Sequence, residues 1–326
     1  MRFLILALDN LGDAVMATAA ARALKAHDPS AEVGLWTKAY SARALAGAPD
    51  LDFLHASDPF WDAAPGAERG SLGGFLAALH GVRRRRYDAA FVLGTEWRRA
   101  LCARLCGAPE RVGYAVRKSG PFLTTAVPWS EHGPHTIDDH LTLVERHLEV
   151  KLDRKACAPR LGLSDQEARL RDPARARLAG APVVVLHPFS GNPLRRWPLP
   201  NCCALIEELS SRDPKLRFVL FIGPADEALV DRGAAALTRD NVWLPFDQSI
   251  ANMKAVLSLA RLFIGTDSGP GHIAAGLGVP VLSLAGPHSE VERHRPWGQG
   301  PVRLLRTASL EDLSGAEAAD AAQGLL

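Results

Sequence analysis

No stretch of this 326-residue chain runs for about 18 apolar residues without a charge, so none is expected to cross a bilayer as a helix. The apolar start, Met1-Arg2-Phe3-Leu4-Ile5-Leu6-Ala7-Leu8, meets Asp9 and Asp13 too soon for a signal-peptide core and reads as a buried strand. Cysteine is sparse and irregular. Cys102, Cys106, Cys157, Cys202 and Cys203 are odd in number and never in C-x-x-C spacing, which speaks against a zinc or redox site and for a reduced compartment. The expectation is a cytoplasmic protein, at most peripheral at the inner face of the cytoplasmic membrane. The net charge of +2 is too small for a general nucleic-acid footprint. The G-x-S-x-G elbow, the Walker loop and a G-x-G-x-x-G after the first strand are all missing, which counts against a hydrolase, an NTPase and a nicotinamide dehydrogenase.

What is present is ordinary globular material, 47% hydrophobic and 23% charged, enough for two domains with their own cores. Apolar runs alternate with helix-patterned segments: Phe3 to Leu8, a helix from about Asp13 to Ala26, Glu32 to Trp36, a helix over Leu72 to Val82, a strand over Tyr87 to Leu93 and a helix over Arg98 to Cys106. This is βαβ logic and predicts a parallel sheet covered on both faces. Between residues 151 and 181 the pattern changes to an extended connector and a charged helix, which places an interdomain boundary there and gives domains of 1–160 and 161–326. A second βαβ series follows, with strands at Val183 to Leu186, Phe218 to Ile222, Leu262 to Ile264 and Val279 to Leu284. The fold class expected is α/β, two Rossmann-like parallel-sheet domains facing across a cleft. In such sheets ligands bind beyond the carboxyl ends of strands, so those loops are the candidate sites.

The strongest is Gly265-Thr266-Asp267-Ser268-Gly269-Pro270-Gly271-His272, between an apolar strand and a helical segment. Asp267 or Ser268 suits a helix cap, Pro270 a first turn, and Gly269 a close backbone approach to an anion, while His272 can donate to a phosphate oxygen. The bland alternative is a well-capped turn. After Leu186 comes His187-Pro188-Phe189-Ser190-Gly191-Asn192-Pro193-Leu194-Arg195-Arg196-Trp197-Pro198, in which Ser190 and Gly191 supply donors and Arg195 or Arg196 a permanent charge, or merely a solvated one. In Gly223-Pro224-Ala225-Asp226-Glu227, Glu227 suits a ribose, or only the helix dipole. In the first half, Leu8-Asp9-Asn10-Leu11-Gly12-Asp13 ends a strand. Gly12 allows a tight turn, and Asp13 reads either as an N-cap or as a base for an acceptor hydroxyl. His132, His135, His140 and His147 cluster without a metal-binding spacing. Arg83-Arg84-Arg85-Arg86 with Arg98, Arg99, Arg104, Arg111, Arg117 and Lys118 makes residues 83–118 basic, either a solvated face or a field for an anionic glycolipid at an anionic bilayer.

Taken together, Leu8 to Asp13, Tyr87-Asp88, Arg195-Arg196-Trp197-Pro198, Gly223 to Glu227 and above all Thr266 to Ala275 resemble, in order, the family-9 glycosyltransferases, of which the ADP-heptose:lipopolysaccharide heptosyltransferases are the best known. The resemblance implies a GT-B fold with acceptor bound mainly by the first domain and donor by the second. It also implies inversion at the anomeric carbon, no metal and no resident cofactor, with a nucleoside-diphosphate sugar, ADP-heptose above others, as co-substrate. By the same resemblance Asp13 stands at the position of the general base and Asn10 and Gly12 are acceptor-side candidates. Ser190, Gly191, Arg195, Glu227, Asp267, Ser268, Gly269 and His272 stand at donor-binding positions, with Arg195 where a lysine is usual. The implied acceptor is a lipopolysaccharide-core or other cell-surface glycan. Asp9-Asn10 and Ala19 depart from the family pattern on the acceptor side. A nucleotide-sugar epimerase on the same fold and a non-catalytic nucleotide-sugar or glycan-binding module are the other readings.

Overall fold

The computed structural model describes residues 1–63, 68–223, 226–232 and 234–326. The chain divides into two compact units, the first comprising Met1–Gly162 with Glu292–His294, the second Leu163–Val291 with Arg295–Leu326.

In the first unit β1 (Arg2–Ala7), α1 (Leu11–His27), β2 (Glu32–Thr37), α2 (Ala39–Leu45), β3 (Phe53–Ala56), α3 (Leu72–Arg84), β4 (Ala89–Val92), α4 (Trp97–Leu105), β5 (Glu110–Tyr114), β6 (Thr125–Val127) and α5 (Thr136–Leu148) follow in order. All strand pairs are parallel, and the sheet order is β3-β2-β1-β4-β5-β6. β1 lies at the centre, with Leu4 opposite Gly34 on one side and Ala90 on the other. Its residues Phe3 to Ala7 are buried, as expected of a strand covered on both faces. The alanine-rich α1 buries ten residues; side chains this small let a helix lie close on the sheet. On the other face Leu4, Leu6, Trp36, Phe75, Val92 and Cys102 share one apolar cluster.

The second unit runs α6 (Asp165–Leu178), β7 (Val183–His187), α7 (Leu199–Arg212), β8 (Arg217–Leu220), β9 (Val242–Trp243), α8 (Ile250–Leu257), β10 (Leu262–Thr266), α9 (Gly269–Gly276), β11 (Val281–Ala285), β12 (Val302–Arg306) and α11 (Gly315–Gln323), while the single turn α10 (Val291–His294), between β11 and β12, groups with the first unit from Glu292 to His294. Its sheet is also wholly parallel, in the order β12-β11-β10-β7-β8-β9. Ser164 and Glu167 form a reciprocal capping box at the start of α6. Glu167 also holds Lys254 of α8 at 2.9 Å, and both side chains are buried.

Renumbered from its own first strand, the second sheet reads 6-5-4-1-2-3, the first sheet viewed from its other edge. Both are the doubly wound order, which reverses direction between its first and fourth strands. The reversal separates the crossovers on either side and opens a crevice beyond the carboxyl ends of β1 and β4 in one unit and of β7 and β10 in the other.

Candidate functional site

At the first unit's switch point the loops after β1 and β4 border a cavity of about 400 Å³ whose lining includes Asp9, Asp13, Arg99, Tyr114, Arg117, Trp129, Asp139, His140 and Arg293. Asp13 is not the N-cap of α1. Asn10 occupies that position, and Asp13 lies in the first turn, half-buried, where the helix dipole favours a carboxylate. Asn10 does not cap with its side chain either: its Oδ1 accepts from the buried Lys38 Nζ at 3.3 Å. The amide of Leu11 donates instead to the Tyr40 hydroxyl, 2.8 Å away, so Asn10 and Gly12 shape the turn.

Most of the cavity's charge is internally matched. Arg99 sits 2.6 Å from Asp9 and donates to the carbonyls of Leu8 and Leu93, stitching the ends of β1 and β4 together. Burial alone would raise the Asp9 carboxyl, but Arg99, and more weakly Lys38, outweigh it and hold it below the usual carboxylate range. Arg293 bonds Asp139 and the carbonyl of Gly133. Here burial wins, and Asp139 is pushed up despite the arginine. His140, wholly enclosed and donating toward the carbonyl of Met16, is pushed down to about 4 by desolvation and stays neutral at physiological pH. Arg117 differs from the other cations. It is exposed, stands at φ +53° in a turn held by the buried Ser119 hydroxyl, and has no ion pair among the described residues. A left-handed non-glycine residue costs energy, so the fold holds this guanidinium at the cavity against a local preference.

At the second unit's switch point the loops after β7 and β10 meet. Thr266 Oγ1 donates to the carbonyl of Phe189 at 2.9 Å, and Arg195 pairs with Asp267 at 3.1 Å while its Nε donates to the carbonyl of His288. Ser190 and Asp267 are buried beside them, and Gly191 is exposed at the rim. Gly265 allows this approach, because a Cβ there would lie 2.7 Å from the carbonyl oxygen of His187 on the neighbouring strand. Ser268 is the N-cap residue of α9, but its hydroxyl donates back to the carbonyl of Thr266 at 3.1 Å and makes no cap. The helix thus begins with Gly269 and Pro270 and no side-chain acceptor from Ser268, and His272 is buried in its first turn.

Arg196 departs from its neighbour. It pairs with Asp226 at 2.6 Å and so ties the loop after β7 to the one after β8. Glu227 is exposed and bonds Arg232 at 2.6 Å. Pro224 and Ala225 of that loop lie outside the described residues.

One reading of the first half needs correction. Residues 83–118 do not make one basic face. Arg83 to Arg86 precede β4 and lie at the amino edge of the sheet, whereas Arg117 and Lys118 follow β5 at its carboxyl edge; Arg99 and Arg111 are spent on internal partners. The four clustered histidines disperse: His132 stacks on Trp129, His135 caps α5, His140 enters the cavity and His147 meets Glu110. Sequence reasoning missed Tyr114, Trp129, Asp139 and Arg293 as lining groups. The one available signal was position: Tyr114 ends a strand and Trp129 follows one.

Comparison with known proteins adds the following. The profile of glycosyltransferase family 9 (heptosyltransferase) matches residues 75–312. Lipopolysaccharide heptosyltransferase 2 of Escherichia coli (strain K12) is 24% identical over 299 residues, covering 89% of this chain and 84% of that protein. A family 9 glycosyl transferase from Veillonella parvula has a similar structure, with a TM-score of 0.81 at 20% identity over 99% of this chain and 96% of its own. So has the E. coli ADP-heptose lps heptosyltransferase II, at 0.79 and 20%, covering 100% and 98%.

Proposed function

Because this chain belongs to glycosyltransferase family 9, we propose that it moves a heptose from ADP-heptose to a lipopolysaccharide-core or related cell-surface glycan, inverting the anomeric carbon. Membership makes it a glycosyltransferase, and the epimerase and pure binding-module readings lose their footing. The two E. coli relatives named above are heptosyltransferases of lipopolysaccharide, and one is named for ADP-heptose, which supports the choice of sugar, donor and acceptor.

The observation that carries the donor assignment is the gathering of Ser190, Arg195, Asp267 and Ser268 at the second switch point. Arg195 is held by Asp267 and the carbonyl of His288, so its planar fork is oriented before a diphosphate arrives, with Nη2 left over to donate. Gly191 and Gly269 offer amides to the phosphates, His272 a ring nitrogen, and Glu227 an acceptor for the ribose. We assign the base to Asp13. Asp13 lines the cavity, half-buried, from the first turn of α1 at the carboxyl end of β1, where a loop ligand would lie. Asp13 takes the acceptor's hydroxyl proton and the freed oxygen bonds the anomeric carbon. The bond from that carbon to the diphosphate breaks, and the electron pair leaves with ADP, its charge met by Arg195 and the start of α9. The charge is met by protein groups rather than by a resident metal or cofactor. Arg117 is the cation we assign to an anionic group of the acceptor.

The test is transfer itself. Incubation with ADP-heptose and heptose-deficient lipopolysaccharide should add one heptose to the acceptor by mass spectrometry, and ADP should raise the melting temperature by mass action. Asp13→Asn should lower kcat by roughly 10²–10⁴-fold with the ADP shift intact. Near-normal transfer by that variant would remove the base assignment, and no stabilisation by any nucleoside diphosphate would remove the donor site.

A further inference from the structure

α3 is the least buried long helix of the first unit: of thirteen residues only Phe75 and Val82 are buried. At 100° per residue, Leu72, Leu76 and Arg83 fall within about 40° of one another on an exposed flank of the helix, about 90° from buried Phe75 and Val82, with His80 about 40° and Arg84 about 80° further round toward the outward side. Leu72 is 54% exposed and Leu76 51%. Phe60, 42% exposed, is a further exposed apolar ring in the preceding loop, 5.8 Å from the ring of Phe75 on α3. The helix holds no acidic residue, and Arg83, Arg84 and Arg86 are exposed with no carboxylate within ion-pair distance among the described residues.

We infer that the exposed flank of α3, with Phe60, is a docking surface for a bilayer rich in anionic phospholipid, the leucines and Phe60 entering the headgroup boundary and the arginines meeting lipid phosphates. Exposed leucines on a helix with a dense cationic end are the pattern of an interfacial helix. A second copy of this chain fits poorly, since neither copy's α3 carries a carboxylate to answer the arginines of the other. The inference deepens the reading of a lipid-linked acceptor and draws its biological sense from it. It differs from a claim about the substrate cavity, because Arg83 to Arg86 lie at the opposite edge of the sheet.

The test uses the full chain in flotation with vesicles of phosphatidylcholine alone or mixed with phosphatidylglycerol. Binding should require phosphatidylglycerol and weaken as salt is raised. Replacing Arg83→Gln, Arg84→Gln and Arg86→Gln together should lower partitioning by roughly a hundredfold, about fivefold per arginine. Leu72→Ser with Leu76→Ser should lower it by roughly tenfold. The control Arg169→Gln, Arg175→Gln and Arg261→Gln, exposed arginines of the second unit, should bind as wild type. Equal binding to neutral vesicles, no binding to either kind, or an equal loss in the control set would overturn the inference. So would a leucine variant that changes only self-association in light scattering, which would make the face a protein interface. All α3 variants should retain transfer to a deacylated, water-soluble acceptor. A wild-type protein that binds vesicles but transfers nothing would sink the function reading and leave the docking face standing.

Discussion

The two switch points share one topology and solve different chemical problems. In the first unit the crevice is lined by charge that is mostly neutralised in place: Asp9 by Arg99, Asp139 by Arg293. In the second it is lined by small residues, one hydroxyl-rich turn and a single oriented guanidinium. The strand order decides where a ligand can lie, and the loops decide which ligand it is. The difference also separates structural charge from binding charge. Arg99, its side chain 9% exposed with three acceptors, is part of the frame, while Arg195, 27% exposed with donors to spare, faces a ligand.

That contrast can be broken by substitution. Arg99→Met should leave Asp9 without its partner and two carbonyls without donors, costing roughly 3–5 kcal/mol of stability. Chemical denaturation should show the loss, and ADP binding by the folded protein should be unchanged. A variant as stable as wild type would mean that the pair is not structural.

Acid should affect both units alike. His140 in the first and His187 in the second are each buried and pushed from 6.5 down to about 4 by desolvation. The unfolded chain therefore binds the extra protons first, so stability is complete above about 6.5 and is lost as pH falls toward 4, by up to about 3 kcal/mol per histidine. Denaturant midpoints against pH should show this slope, and His140→Leu should flatten the part that belongs to the first unit. A slope unchanged in that variant would show that His140 is not its source.

The smallest effect should come from Arg195. Arg195→Ala should weaken donor use by roughly 10–100-fold in kcat/KM, the worth of one or two charge-assisted bonds, with a smaller loss of stability than Arg99→Met, which also strands two carbonyls. Arg195→Lys should recover part of it, since a point charge can meet the phosphate but cannot hold Asp267, the His288 carbonyl and a phosphate in one plane. Loss of stability instead of donor use would put Arg195 in the same class as Arg99.

The second unit was the more legible in sequence. A strand, a run of glycine, serine and proline, then a helix occupy consecutive residues from Leu262 to Gly276, so local chemistry declares the turn. The strands of both sheets were visible as apolar runs because burial on both faces removes polar alternation. The first unit's cavity was not legible, because its walls come from residues far apart in the chain: Asp13, Arg99, Tyr114, Trp129, His140 and Arg293 meet only through the crossovers. Ser268 shows a subtler limit: the residue at the cap position was readable, but the rotamer that turns its hydroxyl toward Thr266 was not. The basic stretch of residues 83–118 misled for the opposite reason. Neighbours in sequence lie at opposite edges of a parallel sheet whenever a strand intervenes.

Gly265 sets a tolerance for the whole donor side. With only hydrogens facing the His187 carbonyl, it is a spacer of no thickness between the two central strands. Any methyl there would act as a wedge at the root of both loops and change the gauge of the gap that Ser190 and Ser268 share. The lettering of those loops is free to drift toward another sugar or another base. The strand beneath them is not, and a lineage that altered its donor would be expected to do so around this glycine rather than through it.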